Sequence, residues 1–194
     1  MNTKQKAATL RGMDPASAIS FTWGLSEATF FFIVPDVWLT WLALSNGKRA
    51  CRQAVWTLAG ALVGGILVYL WGTGNQEQAH VFTALPGIDA HLVAGALADL
   101  EAHGGSALLL GPLSGVPYKL FAFYAPHTIG FLPFILLSIP ARLIRFLVVT
   151  GLAFGISRGL LRRLSIRHQR LCLILCWLAF YVYYFAAMSG SAPS

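Results

Sequence analysis

Five ionisable residues sit inside apolar sequence, and their types limit the chemistry the chain can perform. Glu27 and Asp36 lie in the run SEATFFFIVPDVWLTWLAL, residues Ser26 to Leu44. Lys119 lies in an apolar stretch broken by Pro112 and Pro117, and Arg142 and Arg145 lie in another that carries Pro133 and Pro140. The two arginines are three apart, so a helix puts them on one face. Two acids against three bases leave one positive charge in excess. That excess suits an anionic head group such as a phosphate, which a guanidinium can hold with two hydrogen bonds. A carboxylate in such surroundings can instead carry a proton. A bland alternative stands beside both: the acids could be interfacial or only neutralise the arginines, and the long side chains of Lys119 and Arg142 can snorkel to an interface.

Other chemistries find little support. No Gly-rich phosphate loop, GxSxG or zinc signature is present. No nucleophile–base pair stands out, so a lipid-modifying enzyme ranks lowest and no enzyme is expected. His80, His91 and His103 share one polar stretch but match no metal-ligand spacing, and His127 reads as a polar residue at a helix end. Cys51, Cys172 and Cys176 read as packed, reduced thiols. Neither a metal nor another cofactor is expected.

Composition says what surrounds the five charges. Of 194 residues, 57% are hydrophobic and 11% charged, against roughly 25% charged in an ordinary globular domain. Too little charge remains to coat a soluble surface, so an integral membrane protein is expected. The net charge of +7 then marks cytoplasmic loops; no aromatic-interleaved basic patch suggests nucleic acid. The beginning of the chain lacks a signal-peptide pattern.

The chain divides into a basic N-terminal tail (1–16), a first hairpin plus span (17–71), an outer polar loop (72–105), a second hairpin plus span (106–157), a basic cytoplasmic loop (158–170) and a C-terminal span (171–188). Lys4, Lys6 and Arg11 precede the first apolar segment, and Lys48, Arg49 and Arg52 follow it. Both of its ends therefore belong on the cytoplasmic side, which a hairpin satisfies and a single span cannot. The second apolar segment, from Ala54 to Trp71, then crosses outward. A second hairpin entering from outside lets the span that follows it cross inward, which makes Arg158, Arg162, Arg163, Arg167 and Arg170 cytoplasmic and available to anionic lipid. A hairpin followed by a span thus occurs twice, from opposite faces, as in an inverted repeat.

The expected fold is all-α and membrane-integral: two facing re-entrant helical hairpins, each followed by a transmembrane helix, plus a C-terminal transmembrane helix. The tips are expected at Pro35 and at Gly115 and Pro117, with each proline starting the returning arm, where its missing N–H costs nothing. Asp36 then falls in a first helical turn, where the dipole supports a carboxylate. Glu27 lacks that help, which makes it the better candidate to carry a proton. Gly60 and Gly64, and likewise Gly151, Gly155 and Gly159, repeat every fourth residue, a spacing whose simplest meaning is close helix packing.

The order acid–proline–acid in SEATFFFIVPDVWL, then Gly-x-Pro-x-Lys, then Arg-x-x-Arg-Phe in GPLSGVPYKLFAFYAPHTIGFLPFILLSIPARLIRF, resembles the DedA proteins that share the VTT, or SNARE-associated Golgi protein, domain, especially their small YqaA-like branch. The resemblance runs from about Ser26 to Gly155. It implies two facing re-entrant hairpins and transport at a membrane, expected to be the bacterial inner membrane with the N-terminus cytoplasmic. Some relatives of that kind scramble lipids, and some bacterial ones are assigned to undecaprenyl phosphate recycling with proton-motive force implicated. Carried over, Glu27 and Asp36 match the membrane acids and Arg142 and Arg145 the basic positions after the second hairpin. Lys119 joins the arginines as an expected substrate ligand. The sequence departs from the larger relatives at GVPYK and YAPHTIG, which leaves undecaprenyl phosphate or another phospholipid open as the substrate. A non-transporting factor in membrane assembly or envelope homeostasis is the alternative. Oligomeric state is not legible.

Overall fold

The computed structural model describes residues 14–74, 76–111 and 115–189; the basic tail through residue 13 and the break read at Pro112 lie outside them. Among the described residues the chain is all-helical, with no strand. Helix α1 spans Pro15–Thr29, α2 Asp36–Ser45 and α3 Gly47–Gly72. A 3-10 segment, Gln76–Ala84, leads to α4 (Ala90–His103), α5 (Gly105–Leu110) and α6 (Tyr118–Tyr124). A 3-10 turn, Ala125–His127, precedes α7 (Phe131–Arg158), and α8 spans Ile166–Ser189.

Helix α1 begins where Pro15 fits a first turn. Asp14 precedes it at the N-cap, and its side chain makes no cap bond. It sits instead 3.7 Å from Arg52 on the surface, a kind of pair worth little. The α1–α2 turn is braced by two tryptophan side chains. Within it Trp23 Nε1 donates to the Ile33 carbonyl at 3.0 Å, and Trp38 Nε1 donates to Ser20 Oγ at 3.0 Å. Asn46 alone joins α2 to α3, and its Oδ1 caps α3 by accepting from the Arg49 amide.

Helices α1 and α3 form the most extensive helix pair. Small residues allow it: a Cβ on Gly24 would collide with the Thr57 carbonyl, and one on Gly60 with the Phe21 carbonyl. The same spacing on α7 does something else, for Gly151 and Gly155 have open space around them. Helix α7 continues through Pro140.

The stretch from Gly72 to Gly105, expected as a polar loop, is mostly helical and half-buried. Asp89 Oδ1 accepts from the Leu92 amide and starts α4. Val93, Ala96 and Leu100 then recur every three or four residues and face inward, the period of an amphipathic helix. With Phe82 they pack against Phe121, Phe123 and Phe134. All seven residues of α6 are buried at the centre of this core.

Among the described residues, three helical segments are long and apolar enough to cross a membrane: Gly47–Gly72, Phe131–Arg158 and Ile166–Ala186. Each exceeds the ~20 residues a bilayer needs. Leu132, Leu136, Ile144 and Leu152 on α7 and Leu175, Leu178 and Val182 on α8 are exposed. Apolar surface of that extent calls for a lipid solvent, as in an all-α membrane protein.

Candidate functional site

Sequence places Pro35 and Pro117 each one residue before a helix. Both serve as N-caps, of α2 and α6. Asp36 therefore opens α2 and Lys119 lies in the first turn of α6. Gly115 adopts φ +94°, a left-handed conformation that glycine takes without strain, and this turns the chain into α6.

The five charged residues converge. Arg142 engages both carboxylate oxygens of Glu27, bridging α7 to α1. Its guanidinium lies over the Tyr118 ring, 4.6 Å from the centroid, and over Phe146 at 5.2 Å. Tyr118 is itself fixed by donating to Ser138 Oγ at 2.8 Å. One helical turn on, Arg145 bonds Asp36 Oδ2 through Nε at 3.0 Å and Nη2 at 2.6 Å. Asp36 Oδ1 is buried and has no hydrogen-bond partner among the described residues.

Lys119 Nζ donates to the Phe31 carbonyl at 2.8 Å, so the start of α6 touches the α1–α2 turn. Lys119 is 3% exposed, and among the described residues no carboxylate lies within ion-pair distance of it. Its charge is the one left over from the two ion pairs, and two of its three N–H donors remain available.

A cavity of about 720 Å³ runs beside this cluster. Glu27, Asp36, Lys119 and Arg145 line it, and so do the tip residues Gly115 and Pro117. Arg142 and Pro35 do not; Arg142 sits behind the wall at 1% exposure. The remaining lining is almost wholly apolar, from Val149, Leu152, Ala153 and Ile156 of α7 and one face of α8. Gln169, Leu173, Trp177, Phe180 and Tyr184 mark that α8 face over fifteen residues, roughly 22 Å of helix.

Helix α8 packs chiefly against α2 and is tied down by side-chain hydrogen bonds along its length. Gln169 Oε1 accepts from Ser157 Oγ at 2.6 Å, and Trp177 Nε1 donates to Thr40 Oγ1 at 3.1 Å. The Val34 amide donates to Tyr181 Oη at 3.0 Å, and Tyr184 donates to the Gly87 carbonyl at 2.8 Å. Sequence reading missed Tyr118, Trp177 and Tyr181. The aromatic repeat at 177, 180, 181, 184 and 185 is the signal that could have found the last two.

The histidines stay apart from the site. His127 Nε2 lies 3.1 Å from the Gly72 carbonyl at a helix end. Among the described residues no group of His, Cys, Asp and Glu could hold a metal. Cys172 and Cys176 are free thiols on the cavity wall.

No protein-family model matches the chain, and no solved structure matches it. A protein of Haemophilus influenzae, described only as an uncharacterized protein, is 34% identical over 128 residues. That match covers 66% of this chain and 66% of the Haemophilus protein, so the chain spans just under two thirds of its relative's length.

Proposed function

We propose that this protein is a membrane transporter or flippase for an anionic amphiphile, with a lipid phosphate as the substrate class. The observation that carries this reading is Lys119: a buried cation without a carboxylate partner among the described residues, on the wall of a cavity that it shares with Glu27, Asp36 and Arg145 and whose remaining lining is mostly apolar. A lone charge at bilayer depth costs on the order of 2.5–3.5 kcal/mol by insertion scales. An anionic head group between Lys119 and Arg145 would offset that cost. A cavity of this size is typical of a site for one ligand. Leu152 and Ile156 line it yet are exposed on their outer side, so a hydrocarbon tail can lie partly in the surrounding lipid.

In this reading α1–α2 and α5–α6 are re-entrant pairs that enter from opposite faces and meet at their turns. The Lys119–Phe31 bond supports such a meeting. The element order supports an inverted repeat: short helix, proline-started short helix, long helix, twice over. The bacterial inner membrane and a cytoplasmic N-terminus complete the proposal, on the strength of the DedA-like motif order and the basic flanks. Of the two acids read as proton carriers, Asp36 is the better placed, since Glu27 is closed onto Arg142 through both oxygens. Asp36 can accept a proton on Oδ1 without giving up its bonds to Arg145 on Oδ2.

One observation favours the rival reading of a non-transporting assembly factor. Both acids are already closed into ion pairs, as a purely structural cluster requires. Lys119→Met separates the two, because it removes the surplus charge and leaves both pairs intact. Protein in liposomes should speed the flipping of a short-chain fluorescent phosphatidic acid, and Lys119→Met should abolish most of that acceleration without lowering thermal stability. Equal flipping by the variant would leave the structural reading in place.

A further inference from the structure

We infer that Tyr181, on α8, is a further head-group ligand: its hydroxyl donates to the anion that Lys119 and Arg145 attract. This inference rests on the transport reading above and adds a residue from a helix outside both acid–base pairs.

The argument begins with hydrogen-bond accounting. A phenol hydroxyl is one donor and also an acceptor. Tyr181 Oη spends its acceptor capacity on the Val34 amide. Among the described residues, nothing takes the Tyr181 proton. Tyr181 lines the cavity, and its hydroxyl lies at the α1–α2 turn, which also accepts from Lys119 through Phe31. Asp36 Oδ1 is likewise unpartnered, yet the two do not bond one another.

The ring is also pre-positioned. It lies 6.1 Å from Trp177, 5.4 Å from Phe180 and 6.2 Å from Phe185. These neighbours and the Val34 amide hold the hydroxyl at the turn before any ligand arrives. Little rotamer freedom is then lost on binding. Three donors of different kinds would converge on one anion: an ammonium from α6, a guanidinium from α7 and a hydroxyl from α8. Because α8 packs chiefly on α2, a ligand held by all three also ties α8 to the rest of the cavity.

The test compares two amphiphiles with the same chain, dodecyl phosphate and dodecyl maltoside, for equilibrium binding to the protein in phosphatidylcholine nanodiscs. Tyr181→Phe keeps the ring and removes the hydroxyl. It should bind dodecyl phosphate roughly ten- to a hundredfold more weakly, the loss of one hydrogen bond to a charged group. Its affinity for dodecyl maltoside should not change. Lys119→Met, measured in parallel, should also weaken the phosphate alone. If Lys119→Met has that effect and Tyr181→Phe does not, the anion site stands and Tyr181 is not part of it. If Tyr181→Phe weakens both amphiphiles equally, the residue only shapes the cavity and the inference fails. If the native protein does not prefer the phosphate, the transport reading falls together with it.

Discussion

Arg142 grips both carboxylate oxygens of Glu27 from over the Tyr118 and Phe146 rings, while its neighbour Arg145 faces the cavity. Two arginines one turn apart thus have different surroundings. Removing one partner of a buried pair leaves the other charge uncompensated, typically at a cost of about 3–5 kcal/mol. Arg142→Ala should therefore lose folded protein. The double change Glu27→Leu with Arg142→Met should recover most of the stability, since apolar replacement of both partners is often neutral. Thermal unfolding of the purified protein in detergent checks both. A double variant no more stable than Arg142→Ala would show that the pair is not the main energetic feature there.

Arg145 should behave differently. Arg145→Ala is expected to weaken binding of an anionic amphiphile at every pH, because the anion loses a permanent charge partner. Arg145→Lys should rescue only in part, since a point charge replaces a planar two-donor fork. Full rescue by lysine, measured as dodecyl phosphate affinity, would reduce the role of Arg145 to charge alone.

Proton coupling can be divided between the acids. Asp36→Asn should remove the acceleration of flipping by an imposed pH gradient and leave the rate without a gradient largely intact. Glu27→Gln strips Arg142 of its partner, so its main expected effect is on stability. Liposome assays with and without the gradient, after confirming folded protein, decide this. A fully responsive Asp36→Asn would exclude Asp36 as carrier.

The membrane path predicts labelling. In a background lacking Cys51, Cys172 and Cys176, single cysteines at Ser45 and Arg162 should label from one face and a cysteine at His91 from the other. All three native residues are exposed. If Ser45 and Arg162 label from opposite faces, α5–α6 does not return to its own side and the re-entrant reading of the second hairpin fails.

The glycines offer a test of packing. Gly60→Ala drives a methyl into the Phe21 carbonyl and should cost roughly 1–3 kcal/mol as overpacking. Gly151→Ala meets nothing and should stabilise α7 by up to about 1 kcal/mol through helix propensity. Unfolding midpoints of the two variants should move in opposite directions.

Much of this was legible because some residue types leave a chain few options. Charges within apolar sequence have to find partners, so the convergence of Glu27, Asp36, Lys119, Arg142 and Arg145 could be anticipated. Proline has no N–H to lose at a helix start, so Pro35 and Pro117 marked α2 and α6. Which acid met which base was hidden, since the three-residue spacing of the arginines shows a shared face but not that α1 and α2 bring one acid to each. The helices between Gly72 and Gly105 were obscured by their polar residues, which drew the eye from the inward repeat of Val93, Ala96 and Leu100. Tyr118 and Tyr181 escaped because an aromatic residue in a span looks like packing until a hydrogen bond locates its hydroxyl.

Glu27 and Arg142 are 115 residues apart in the chain, and Asp36 and Arg145 are 109 apart. At synthesis rates of roughly 5–20 residues per second, the acids emerge on the order of ten seconds before their partners. On the re-entrant reading, α1 and α2 carry for that interval two carboxylates that have no counter-charge in the bilayer. The hairpin therefore has to wait, shallow or shielded, until α7 arrives. Nascent chains arrested before Phe131 should leave α1–α2 open to protease at the membrane, and chains arrested beyond Arg158 should protect it. Protection in the shorter chains would mean that the acids settle without their arginines.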